Sequence, residues 1–119
     1  MEYNEKEFFE FEKSSSILLD SIIDYLCIEF KNGIYTANIN FSISHQKKGY
    51  KNILINIEEI TAININQTVD SIEQQIHNYK FLQHEGSYYL SLDPDESALN
   101  ITNDDQTFFL FNKLKAKLK

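Results

Sequence analysis

Five carboxylates flank one connection late in the chain: Asp93, Asp95, Glu96, Asp104 and Asp105. Tyr88 and Tyr89 stand on the segment leading into it. Carboxylates this close in sequence could hold a hard cation such as calcium through oxygen ligands. They could share general acid and base work, or present negative charge to a basic protein. The spacing matches no EF-hand loop and lacks the glycine such a loop needs. No nucleophile, glycine-rich phosphate loop or arginine clamp accompanies them. Asp and Pro are also ordinary turn residues. Turn chemistry therefore ranks first, a protein-binding patch second and a metal site a distant third.

The remaining chemistry-bearing residues are scattered. His45 lies beside lysines, His77 on an expected helix and His84 at a hairpin end, and His77 and His84 have no zinc spacing. Cys27 is the only cysteine, which excludes an internal disulfide. Set between Leu26 and Ile28, it reads as a buried, inert thiol. There is no P-loop, nucleophile elbow or dinucleotide motif. The expectation is a chain without catalytic residues, resident metal or cofactor.

Charge narrows the partners. The net charge is −7 and every one of the 11 basic residues is lysine. Arginine best serves bidentate phosphate and base recognition, so an acidic chain without it is a poor nucleic-acid binder. The sign favours a basic partner, or simply solubility. The apolar runs are too short for a membrane span. The acidic start Met1-Glu2-Tyr3-Asn4-Glu5-Lys6-Glu7 lacks the features of a signal peptide, so a cytoplasmic protein is expected. At 119 residues, positions 1–119 make a single domain.

The elements that must position these groups are mostly strands. In residues 34–44, Tyr35, Ala37, Ile39, Phe41 and Ile43 alternate with Thr36, Asn38, Asn40, Ser42 and Ser44. Period two sends one set to a core and the other to solvent, leaving a polar face that is either solvated or open to a partner. Asn32-Gly33 precedes it, and this pair accepts the positive φ angles of a type I′ turn, so residues 22–30 and 34–44 should form a hairpin. Residues 17–30 also carry helical spacing through Leu18, Ile22, Tyr25 and Leu26, but β-branched and aromatic content favours strand, bent near Asp20-Ser21. Residues 45–50 read as a polar loop with Lys47-Lys48-Gly49 at its tip.

Residues 52–66 form a further strand, with a bulge or short turn near Glu58-Glu59. Residues 68–79 switch to helical period through Val69, Ile72, Ile76 and Tyr79. Residues 79–84 and 88–92 make a second hairpin around Glu85-Gly86-Ser87, stopped by Asp93-Pro94. The last strand spans residues 107–118, with Phe108, Leu110, Leu114, Ala116 and Leu118 inward and Lys113, Lys115 and Lys117 outward; a helix aligning Leu110, Leu114 and Leu118 is the alternative. At the start, residues 4–13 read as a short helix with Asn4 as N-cap, Glu7 in the capping-box place and Tyr3 and Phe8 at staple positions. Three phenylalanines, Phe8, Phe9 and Phe11, argue against a disordered acidic arm. The expected fold class is α+β, mainly an antiparallel β-sheet built as a meander of hairpins, with one or two short flanking helices.

This layout, with Asn32-Gly33 in the first hairpin, the run Tyr88-Tyr89-Leu90-Ser91-Leu92-Asp93-Pro94 and then Asp104-Asp105, resembles small bacterial immunity proteins of polymorphic or contact-dependent toxin systems. The likeness is one of size, charge and sheet layout through most of the chain, without a diagnostic motif. It implies a non-enzymatic cytoplasmic protein that neutralises a cognate toxin by binding it and occluding its active site. The partner would be a basic toxin domain, met in part through Tyr88, Tyr89, Asp93, Asp95, Glu96, Asp104 and Asp105. The alternatives are a small-ligand-binding protein or enzyme with a pocket in the sheet, and a structural subunit of a larger assembly.

Overall fold

A computed structural model describes residues 1–47, 49–65 and 74–119. The elements follow as β1 (Glu2–Asn4), α1 (Glu5–Ser15), β2 (Ser21–Lys31), β3 (Ile34–Lys47), β4 (Tyr50–Asn64), β5 (Gln74–Gln75), β6 (Lys80–His84), β7 (Ser87–Asp93) and β8 (Gln106–Leu118). The eight strands among the described residues join one sheet in the order β5-β2-β3-β4-β8-β7-β6, with β1 alongside β8, and each of their pairings is antiparallel. The fold is thus mainly antiparallel sheet with one described helix. No helix among the described residues is long and apolar enough to cross a membrane.

The first hairpin forms where the Asn-Gly pair places it. Lys31 pairs with Ile34 across Asn32 and Gly33, whose φ angles of 53° and 77° belong to a type I′ turn. Ala37, Ile39, Phe41 and Ile43 are buried as the alternation requires, but Tyr35 is 40 % exposed. β3 pairs with β4 no nearer the turn than Ala37, so the last residues of the ribbon run past the core. Cys27 is likewise only partly buried rather than enclosed. The second hairpin is as tight: His84 pairs with Ser87 across Glu85 and Gly86, at φ 50° and 83°.

Several boundaries differ from the sequence expectation. β2 starts at Ser21, and the preceding residues turn instead of extending, with Ile17 and Leu18 wholly buried. The polar loop expected over residues 45–50 is mostly strand, with Lys47 paired to Tyr50; Lys48 lies outside the described residues. Most of the helix expected over residues 68–79 also lies outside them. Its last turn does not form, because Gln74 and Gln75 pair with Ile23 and Ile22 as strand. Backbone pairing there overrides a helical period that local propensity supports only weakly.

β4 and β8 carry the longest ladder, and it changes character midway. Ile53, Ile55 and Ile57 face inward opposite Leu118, Ala116 and Leu114. Glu59 then adopts φ 53°, and a register shift falls between Ile60 and Ala62. Thr61 donates its hydroxyl to the Leu110 carbonyl at 3.3 Å. Beyond this kink, the inward residues of β8 are Phe109 and Phe111, both 0 % exposed, while Phe108 and Leu110 are half-buried. The strand expectation for β8 holds, but the inward set switches parity between Phe111 and Leu114. An irregularity re-aims every residue beyond it, because side-chain direction has period two.

α1 closes the core. Asn4 Oδ1 accepts the Glu7 N–H at 2.9 Å and Glu7 Oε1 accepts the Asn4 N–H at 3.0 Å, completing the capping box. Tyr3 stacks on Phe11 at 5.1 Å, in place of the expected Tyr3–Phe8 staple, because Phe8 is spent inside the core at 0 % exposure. Burying a Phe, Ile or Leu side chain contributes about 2 kcal/mol, so this interior dominates the stability of the fold.

Candidate functional site

The connection between β7 and β8 is organised by one buried carboxylate. Asp105 is 2 % exposed. Its Oδ1 accepts from Lys80 Nζ at 2.7 Å and from the Asp95 N–H at 2.8 Å. Its Oδ2 accepts from the Tyr89 hydroxyl at 2.8 Å and the Thr102 N–H at 3.1 Å. Lys80 Nζ also donates to the Asn100 carbonyl at 2.7 Å. One carboxylate thereby ties β6, β7 and both halves of the loop together. Burial pushes the Asp105 carboxyl up, but the Lys80 ammonium, the two backbone N–H groups and the Tyr89 hydroxyl outweigh it and hold the group at about 2. Burial, and then the hydrogen bond to Asp105, raise the Tyr89 phenol above its ordinary value.

Asp95 makes a local turn. Its Oδ1 accepts from the Ser97 N–H and hydroxyl at 2.9 and 2.6 Å, and its Oδ2 accepts from the Thr102 hydroxyl at 3.1 Å. These bonds, from Ser97 first, hold the Asp95 carboxyl below its ordinary value.

The seven residues expected to meet a partner therefore divide. Asp105 and Tyr89 are interior framework, and no partner can touch them without unfolding the loop. Tyr88 is half-buried in an aromatic cluster with Phe9, Phe81 and Phe111. Asp95 is partly buried and engaged in its turn. Asp93, Glu96 and Asp104 are exposed, and Asp93 and Glu96 line one hollow together. Sequence reasoning missed Lys80, which is 7 % exposed. Its signal was a charge placed between Tyr79 and Phe81 in an apolar run, which needs a buried acid as partner.

A second polar centre sits where α1 meets the start of β6. Glu12 is 3 % exposed; its carboxylate accepts the Leu18 N–H at 3.3 Å and the Tyr79 hydroxyl. Burial, then the Glu12 charge, raise the Tyr79 phenol. The two residues line an open cleft of about 460 Å³ with Phe9, Lys13, Phe81 and Leu99. Among the described residues no three His, Cys, Asp or Glu side chains converge as metal ligands.

The outer face of the sheet carries a row of lysines set against carboxylates, with Glu58 opposite Lys113 and Glu2 opposite Lys117. Lys113, Lys115, Lys117 and Lys119 alternate along and just past β8, all exposed. Beside them Asn56 Nδ2 donates to Asn38 Oδ1 at 2.8 Å. No protein-family model, curated protein or solved structure matches the chain.

Proposed function

We propose that this chain is a non-enzymatic binding protein of the immunity type, which neutralises a basic toxin domain in the cytoplasm by covering its active site. The observation that carries this reading is the loop ordered by Asp105, which holds exposed Asp93, Glu96 and Asp104 on a fixed frame in a chain of net charge −7. Proteins that act on nucleic acid need positive potential at the cleft. A preorganised acidic loop complements such a cleft, speeds the encounter and excludes a phosphate-bearing substrate without chemistry of its own.

The experiment is co-expression of the chain with basic, growth-inhibiting domains, beginning with any that is encoded beside its gene. Cells should survive, the two proteins should co-purify, and association should slow as salt rises. Toxicity unchanged by the chain, with no complex at low salt, would sink the reading. A small-ligand reading has one observation in its favour, the cleft walled by Glu12 and Tyr79. A ligand there would be recognised by a change in Tyr79 fluorescence that Tyr79→Phe removes.

A further inference from the structure

β6 ends the sheet, and its outer edge pairs with no strand among the described residues. The hairpin turn fixes which backbone groups that edge presents. His84 and Ser87 close a two-residue turn and so exchange hydrogen bonds. Bonded and non-bonded pairs alternate along an antiparallel ladder, so Leu82 and Lys80 also direct their N–H and C=O groups towards β7. Phe81 and Gln83 direct theirs away from it. Tyr79 is next in that series, and its N–H donates to Asn78 Oδ1 at 2.9 Å. The free edge therefore offers two N–H donors and two C=O acceptors, those of Phe81 and Gln83.

The open cleft of about 460 Å³ lies along this edge. Lys80, Phe81 and Leu82 all line it. Successive residues of a strand point to opposite faces, so a cleft lined by consecutive residues faces the edge of the strand and not one of its faces. One wall is α1, through Phe9 and Lys13, and the other is the segment after β7, through Glu96 and Leu99. Leu99 is 90 % exposed, a large apolar side chain standing at the rim.

These features select the occupant. Outward N–H and C=O groups at alternate residues match an extended main chain, which repeats the same groups at the same spacing. Phe81 packs on Phe9 towards α1, and Leu82 lies on the opposite face with Leu99 beyond it. Both walls are thus apolar and suit a strand with apolar side chains on both faces. The rim charges are of opposite sign. Lys13 on the α1 wall fits a carboxylate, and Glu96 on the other wall fits a cation. A second copy of this chain is a poor occupant. It would bring its own α1 and its own Leu99 wall, which keep two β6 edges from approaching to the strand spacing of about 4.8 Å.

We propose that this cleft binds an extended peptide segment of a protein partner, which adds as a strand outside β6, bonded to the main chain of Phe81 and Gln83 and seated between Phe9 and Leu99. The segment is apolar at its centre, with an acidic side chain towards Lys13 and a basic one towards Glu96. The main-chain bonds supply affinity and the two walls supply selection. This site goes beyond the immunity reading and stands whether or not the partner is a toxin.

The test selects a phage library of random octapeptides on the purified full chain and follows the best binder as a synthetic peptide capped at both ends. Enriched sequences should be apolar at the centre. In the complex the amide protons of Phe81 and Gln83 should exchange with solvent about 10-fold more slowly or more, read by NMR, while that of Leu82, already bonded to β7, changes little. Methylating alternate backbone nitrogens of the peptide tests the strand directly. Of the two alternating sets, one should weaken binding about 10-fold and the other little, because only one set faces β6. Leu99→Ser should weaken binding about 5-fold or more, with a thermal melt matching wild type because the position is exposed. No enrichment, or bound peptides that leave Phe81 and Gln83 unprotected, would overturn the proposal. Equal effects of the two methylated sets would mean contact through side chains alone and would overturn it too. A dimer in sedimentation velocity that Leu99→Ser dissolves would assign the edge to a second copy and overturn the peptide site.

Discussion

Lys80 Nζ lies 2.7 Å from Asp105 Oδ1, and the two side chains keep only 6 % and 0 % of their surface in solvent. The pair joins the first residue of β6 to the residue just before β8, across the interior of the loop. A buried ion pair is a weak source of net stability, but breaking one is costly because the surviving charge stays buried. Asp105 accepts further bonds from Asp95, Thr102 and Tyr89, whereas Lys80 Nζ donates besides to the Asn100 carbonyl.

The two ends of this pair should therefore respond unequally. Asp105→Ala should destabilise the protein by about 3–5 kcal/mol, since it strands the ammonium and frees the loop. Lys80→Met should cost less, because the carboxylate keeps its N–H and hydroxyl donors. Urea denaturation of the two variants reads the difference, and equal losses would contradict the shared frame around Asp105.

Acid should weaken the fold through the same group. The Asp105 carboxyl sits at about 2 when folded, below the roughly 3.9 of an unfolded aspartate. As pH falls, the unfolded chain takes up the proton first. The contribution is thus full above about pH 4 and is lost as pH falls towards about 2, a change of about 2–3 kcal/mol. Unfolding free energies measured across this window should show the decline, and the Asp105→Asn variant should show a shallower one. Identical slopes for the two proteins would rule out Asp105 as its source.

Charge reversal should separate surface from frame. Asp93→Lys with Asp104→Lys should change stability by about 0.5 kcal/mol or less, as exposed loop charges do. Asp105→Lys should prevent folding of the loop, since it sets two ammonium groups together in the interior. Thermal melts of the two proteins decide this; a well-folded Asp105→Lys variant would contradict the burial of the site.

The first turn has a purely conformational demand. A Cβ at Gly33 would meet nothing within 4 Å, but φ there is 77°. Gly33→Ala should cost about 1 kcal/mol, without changing the core. A neutral or stabilising effect in urea denaturation would mean that the turn relaxes to another type.

What the sequence determined by itself was local. Alternation through Ala37–Ile39–Phe41, the Asn32-Gly33 turn, a hairpin around Glu85-Gly86-Ser87 and the Asn4–Glu7 capping box depend on residues within a few positions of one another, and each is present in the structure, the second hairpin closing one residue tighter with Ser87 already paired to His84. The α+β class with an antiparallel sheet follows from these alone. Asp104 and Asp105, by contrast, are chemically identical neighbours, and nothing near them in sequence says which one goes inside. That choice belongs to Lys80, 25 positions away, and to Tyr89, 16 positions away. The inward set of β8 switches parity between Phe111 and Leu114, opposite Glu59 and its φ of 53° on the neighbouring strand. Tyr35 obeys the alternation and is still exposed, because its ribbon outruns β4. Periodicity encodes which side chains share a face, but whether that face is covered depends on long-range pairing, and only the tertiary structure supplies it.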